Sequence, residues 1–176
     1  WTMDCWRYWG VIFCWCSKSY YFGNCGVLDS KIEDCSIIIP TKGFRDEGTS
    51  YHYVSPSETI EINPDYKEDF IKILNEYNFD YTEGYTWTID AFYRETKDKI
   101  KYFKDNGAVC VEMEGTVIAS VCQRLNMKYF TFYYAGDNLD STVWDKRSID
   151  GPTNIDKKKE VLLLALELAV VLNNYE

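Results

Sequence analysis

A chain of 176 residues is about one domain and long enough to bury a sizeable core, and 46% hydrophobic with 17% aromatic content excludes a disordered chain. The formal net charge of -9 argues against nucleic acid and anionic membrane surfaces as partners, which leaves a small ligand as the default. The 7 cysteines are odd in number and include no CxxC, and the 1 histidine, His52, has no neighbouring ligand pair, so the pattern reads as reduced cysteines in a cytoplasmic protein without a metal site.

Residues 1–19 hold Trp1, Trp6, Trp9 and Trp15 with Cys5, Cys14 and Cys16, follow no period of two or 3.6, and define no element. Asp4, Arg7 and Lys18 interrupt this apolar run, which is too short to span a bilayer. It is set apart as an atypical segment ahead of one domain over 20–176. Residues 20–29 read as a strand entering a tight turn, where Gly23 and Gly26 allow close backbone approach to a ligand. Residues 36–40 are an apolar β-run ending at Pro40, and 41–53 read as a polar surface loop carrying Arg45, Asp46, Glu47 and His52. Asn63 and Pro64 offer a cap and a first-turn proline for a helix with the apolar stripe Tyr66, Phe70, Leu74 and Tyr77. Residues 84–89 form a Thr- and aromatic-rich strand that delivers Trp87, and then Asp90, Ala91, Phe92 and Tyr93, to the rim at the carboxyl ends of the strands. Thr96 caps a further helix that turns Ile100 and Phe103 inward and stops at Gly107.

The stretch 109–140 organises the rest. Val109, Cys110 and Val111 read as a buried strand ending at Glu112, Met113 and Glu114; Val117, Ile118, Val121, Cys122 and Leu125 recur at helical spacing; residues 128–134 form a second strand that runs out at Gly136 and Asp137. A polar link over 141–154 holds Trp144 and Arg147, and an apolar helix over 157–173 ends the chain. Strand, helix, strand predicts an α/β fold, in which chemistry collects beyond the carboxyl ends of the strands. Taken singly, Glu114 reads as a helix-start acid and Asp137 as a turn residue; as a pair at matched strand ends they point equally to a site.

VEMEG followed about twenty residues later by a strand ending in Gly-Asp, together with FGNCGVLD at 22–29, IIPTKGFRDEGTSYHY at 38–53 and TIDAFYRET at 88–96, resembles the nucleoside phosphorylase family over residues 22–149. The resemblance implies a three-layer α/β fold with a central mixed β-sheet flanked by helices, and cleavage of an N-glycosidic bond. It implies that Glu114 chelates the ribose 2′ and 3′ hydroxyls, with Met113 beneath the sugar, Glu112 beside it, and Cys25 and Gly26 in the ligand-approaching turn. It further implies that Trp87 stacks on the base and that Asp137, assisted by Arg147, protonates or hydrogen-bonds N7 of a leaving purine. Thr96 and Asp98 stand where uridine-cleaving members carry a Gln-x-Arg, which disfavours uracil. Tyr21 stands where phosphorolytic members hold phosphate with an arginine, and a phenol supplies no charged fork. The activity so implied is phosphorolysis of purine nucleosides with inorganic phosphate as co-substrate and no cofactor; a hydrolytic nucleosidase and a non-catalytic nucleoside-binding remnant are the alternatives. A homo-oligomer is expected.

Overall fold

A computed structural model describes residues 10–15, 18–149 and 151–173. Trp1, Trp6, Trp9, Cys5 and Cys16 lie outside the described residues. The elements in chain order are β1 (Gly10–Trp15), β2 (Lys18–Val27), β3 (Ile37–Asp46), β4 (Thr59–Glu61), α1 (Lys67–Glu76), β5 (Tyr81–Ile89), α2 (Lys97–Asp105), β6 (Ala108–Glu112), α3 (Gly115–Leu125), β7 (Lys128–Asn138) and α4 (Ile155–Asn173). The strands form one mixed sheet in the order β1-β2-β6-β5-β3-β4, with β7 pairing both β2 and β3. Because β7 runs parallel to β2 and antiparallel to β3, the pairings β2–β7–β3–β5–β6–β2 close five strands into a ring. β1 pairs antiparallel with β2, so a described part of the tryptophan-rich opening is a strand of the sheet.

Strand alternation sorts the core. Tyr20 and Phe22 of β2, Ile37 and Ile39 of β3, and Phe130 and Phe132 of β7 face α1 and α4, where they meet Phe70, Leu74, Leu164 and Leu168. The intervening Tyr21, Cys25, Ile38 and Tyr133 point the other way and pack together. α3 lies on that opposite side, joining Ala119 and Cys122 to Ile62 and Tyr129, which completes the helix–sheet–helix layering. α2 closes over β5 and β6 through Phe103, set against Phe44, Trp87 and Val111. Among the described residues no helix is long and apolar enough to cross a membrane.

The expected helices at α2 and α4 and the strand–helix–strand unit are present. Thr96 accepts the Lys99 N–H at 3.4 Å, and Gly107 ends α2 with φ +97°. Three local readings differ. The helix expected from Asn63 begins at Lys67, because the Asn63 amide is buried and spent on tying β3 to β7: it donates to Pro40 O and Thr131 O and accepts the Thr131 N–H at 2.7 Å. The loop expected from residue 41 is strand as far as Asp46, since the ladder passes Pro40, which has no N–H to give, through a register shift before Lys42. Its Arg45 and Glu47 are buried rather than exposed, Arg45 donating to Ser50 Oγ at 2.8 Å and Glu47 accepting the Ser50 N–H at 2.9 Å. In α3 the buried face is the small one, Gly115, Thr116, Ala119, Ser120 and Cys122, while Leu125 is 61% exposed. Small side chains let the helix backbone sit close to the sheet, while Ile118 packs at the edge of the core and Leu125 is turned outward.

Candidate active site

The carboxyl ends of β2, β6 and β7, the turn after β5 and the 144–149 link enclose a cavity of about 680 Å³. A larger hollow of about 900 Å³ lies away from these strand ends, between α4 and the segments 33–37 and 77–80. The smaller one carries the chemistry: Glu95, Glu112, Glu114 and Asp137 share its walls, with Phe92, Tyr93 and Trp144 at its rim. No lysine, arginine or histidine lines it among the described residues. Nor do the described residues hold any group of three metal-ligating side chains.

Glu112 ends β6 and is the best-satisfied of the four. Its Oε1 accepts from Thr86 and Thr88 hydroxyls at 3.1 and 2.6 Å, and its Oε2 accepts the N–H groups of Glu114 and Gly115 at 2.7 and 2.6 Å. Burial lifts its pKa, and these four donors oppose that by favouring the ionised form. A carboxylate at a helix N-terminus with both oxygens occupied anchors α3; it has no oxygen left over for a sugar hydroxyl. Thr88 Oγ1 in turn accepts the Thr116 N–H, and Thr116 donates to Glu47, which extends the anchor into the 47–50 turn.

Glu114, the next acid along, is the one with acceptor capacity facing the cavity. Burial, reinforced by the Glu112 charge, pushes its pKa up to about 7, against hydrogen bonds from the Tyr21 hydroxyl and the Met113 N–H. The Tyr21 hydroxyl is thus engaged with the Glu114 carboxyl. Met113 lines the cavity between the two glutamates.

Asp137 sits near the end of β7, next to β2 in register with Gly26. A Cβ at Gly26 would lie 2.3 Å from Leu139 Cδ1 and 3.0 Å from Asp137 Oδ1, so glycine is what lets β2 pass beneath the acid. The Trp144 indole N–H donates to Asp137 Oδ2 at 2.6 Å. Burial raises the pKa of Asp137; the Trp144 bond, its own N–H and the Arg147 charge work in the other direction. Cys25 lines the cavity beside Gly26.

Two expected site residues lie outside the cavity wall. Trp87 is fully buried, stacked on Phe103 with ring centroids 4.4 Å apart and its indole N–H bound to Asp46 at 3.0 Å. Its position on β5 turns it toward α2, so in this structure it is a core residue and not part of the cavity lining. Arg147 donates to Ile32 O at 2.8 Å and lies 3.7 Å from Asp145, touching Asp137 only through its charge. Phe92 and Tyr93 border the cavity, at the rim to which the 84–89 strand is expected to deliver them; Glu95 and Trp144 join them from segments whose folding-back no periodicity encodes, the single hint being that Glu95 falls in the TIDAFYRET block.

A family model described as phosphorylase superfamily matches residues 21–170. The 5′-methylthioadenosine/S-adenosylhomocysteine nucleosidase of Buchnera aphidicola subsp. Acyrthosiphon pisum (strain APS) is 31% identical over 140 residues, 73% of this chain and 60% of its own. The DeoD-type purine nucleoside phosphorylase of Mycoplasma genitalium is 26% identical over 156 residues, covering 83% and 61%. A guanosine phosphorylase of Halorubrum lacusprofundi is 23% identical over 106 residues, covering 60% and 44%. The chain thus spans 44 to 61% of the length of these three relatives. Among solved structures, AMP nucleosidase from Bacteroides thetaiotaomicron superimposes with a TM-score of 0.69 at 18% identity, over 91% of this chain and 63% of that one. A futalosine hydrolase mutant of Helicobacter pylori gives 0.65 at 19%, over 86% and 66%. At these identities the two structures establish the shared fold. With the family matched over most of its length and the fold shared, the chain belongs to the phosphorylase superfamily of nucleoside phosphorylases and nucleosidases.

Proposed function

We propose that the cavity cleaves the N-glycosidic bond of a purine nucleoside, with Glu114 holding the ribose hydroxyls, Met113 against the sugar and Asp137 at the base. One observation carries the reading: the acids ending β6 and β7 open into the same cavity of about 680 Å³, within the usual range for small-ligand sites. As the bond breaks, positive charge develops at the anomeric carbon and negative charge on the base. A wall rich in carboxylates supports the first, and a protonated acid at the base end relieves the second.

The nucleophile this lining favours is water. A phosphate dianion would face four carboxylates and no cationic side chain of the described lining, and Tyr21 replaces the arginine expected to grip it. Phosphorolysis remains the second reading, supported by the likeness to the purine nucleoside and guanosine phosphorylases. The test is base release from adenosine, inosine and guanosine with and without inorganic phosphate, scoring free ribose against ribose 1-phosphate. Phosphate-independent release with free ribose supports hydrolysis. Strict phosphate dependence moves the site to phosphorolysis, and nucleoside binding by folded protein without release overturns both in favour of a binding role.

A further inference from the structure

Trp144 is 60% exposed, yet its polar edge is turned inward: the indole N–H donates to Asp137 Oδ2 at 2.6 Å, and the residue lines the cavity beside that acid. The loop that carries it is clamped onto the end of β7. Asn138 and Asp145 form an antiparallel bridge, the Asn138 N–H donating to Asp145 O at 2.8 Å and the Asp145 N–H to Asn138 O at 3.2 Å. Asn138 is itself buried, its side chain accepting the Asp140 N–H at 2.9 Å and donating to Ser30 Oγ at 3.2 Å. The strand that presents Asp137 therefore also holds the indole against it. We propose that Trp144 is a positioning residue for glycosidic cleavage, which claims Oδ2 of Asp137 and so fixes Oδ1 as the oxygen that hands the proton to the leaving purine. The inference rests on the glycosidic-cleavage reading above and adds a residue that acts through its base-side acid.

An indole N–H donates and cannot accept, so the oxygen it meets is an acceptor whether Asp137 is neutral or ionised. A proton on this carboxyl group therefore sits on Oδ1. That oxygen is on the Gly26 side: a Cβ at Gly26 would lie 3.0 Å from it, and Gly26 lines the cavity. Burial, the largest influence on Asp137, raises its pKa and favours the neutral acid, while the Trp144 bond favours the anion. The two influences suit successive stages of one step. The C1′–N9 bond breaks with its electron pair passing into the purine, and N7 takes the proton from Oδ1, leaving Asp137 as a carboxylate. The oxygen of water bonds to C1′, and the surplus proton of that water passes to solvent, from which Asp137 is recharged. As negative charge develops on Asp137, the Trp144 bond becomes charge-assisted and roughly twice as strong, so it acts more on the transition state than on the bound nucleoside.

The test uses W144F, which keeps an aromatic ring at the rim and removes the donor, with two substrates. The base of inosine leaves poorly without a proton, whereas the phenolate of p-nitrophenyl β-D-riboside leaves without one. W144F should lose ~10- to 100-fold in kcat on inosine, the usual worth of one hydrogen bond to a charged group, with little change on the nitrophenyl riboside. KM for inosine should stay within about threefold, since the lost interaction belongs to the transition state. A second readout is the titration of Asp137 itself, followed by carboxyl NMR on aspartate labelled with carbon-13 and assigned by its absence in D137N. Its midpoint should move to higher pH in W144F, because a donor favouring the ionised form is gone. The other charged or titratable groups around Asp137 are Cys25 of β2, Glu95 after the 92–94 turn, Glu112 of β6, Glu114 at the head of α3, and Asp145 and Arg147 of the link, and W144F alters none of them. Equal losses on the two substrates, or an Asp137 midpoint that stays in place or moves down, overturn the assignment while leaving glycosidic cleavage intact. Failure of folded wild type to cleave either substrate overturns the cleavage reading and this inference with it.

Discussion

At the scale of single residues, the two glutamates of the VEMEG motif do different work although one residue separates them. Glu112 has four protein donors, whereas Glu114 has the Tyr21 hydroxyl and the Met113 N–H and keeps acceptor capacity for a ligand. Tyr21 therefore sets how readily Glu114 ionises. Its hydroxyl favours the carboxylate, so Tyr21→Phe should raise the Glu114 pKa further and move the acid limb of kcat/KM to higher pH. A hydrogen bond to a charged group contributes about 1.5–3 kcal/mol, so kcat/KM near neutral pH should drop by roughly 10- to 100-fold. A pH–rate profile checks this, and an unmoved acid limb would detach Tyr21 from the site. Gly26→Ala makes a steric counterpart. A Cβ 2.3 Å from Leu139 Cδ1 and 3.0 Å from Asp137 Oδ1 makes those two side chains give way, and turnover should fall, by up to ~100-fold if the carboxylate is displaced by about 1 Å.

At the scale of elements, Glu112 is the pin joining β5, β6 and α3. Its removal by Glu112→Ala leaves the Thr86 and Thr88 hydroxyls and the Glu114 and Gly115 N–H groups facing a void. At about 1–3 kcal/mol for each buried group left unpaired, less what water or hydroxyl rotation recovers, the loss should be at least ~3 kcal/mol. Glu112→Gln should lose less, because its oxygen still accepts the two N–H groups while its amide meets hydroxyls able to turn and accept. Urea unfolding of the two variants decides the order; equal losses would mean that burial of a charge, not the four donors, governs the position. This pin also explains what the sequence made legible. The acids at the strand ends and the α3–β7 unit could be read because strand runs and helix spacing are local patterns. Trp87 could not be assigned, because period two fixes which face of β5 it occupies but not that α2 covers that face. Asn63 resembled a cap until β3 and β7 were brought to either side of its amide. Glu95 and Trp144 reach the cavity only through turns that fold back over it, and such long-range closure leaves no periodic trace.

For the molecule as a whole, the cavity concentrates acids that fold at a cost in charge, and this makes stability depend on pH. Burial raises Glu95 and Glu114 to about 7 from the ordinary 4.5, and raises Glu112 and Asp137 as well. Each of these groups binds its proton more tightly in the folded than in the unfolded chain. Between about 4.5 and 7 the folded state therefore carries more protons, and the slope of unfolding free energy with pH is negative. The stabilisation is fully present below the unfolded pKa and is lost as pH rises through the folded one. Repulsion from a net charge of -9 acts in the same direction, since it too grows as carboxyls ionise. Asp140, held low by Lys104 and Ser30 in spite of burial, opposes the trend only at more acidic pH. The melting temperature should accordingly be higher at pH 5.5 than at pH 8. At about 2–4 °C per kcal/mol for a chain of this size, the difference should be on the order of 5 °C. Differential scanning calorimetry across that range measures it, and Glu114→Gln, which removes one of the two acids raised to about 7, should flatten the curve. A melting temperature that is constant or rises from pH 5.5 to 8 would mean that the four acids exchange protons with water as freely in the fold as out of it, and the cavity would then lack the burial on which an acid poised near neutrality depends.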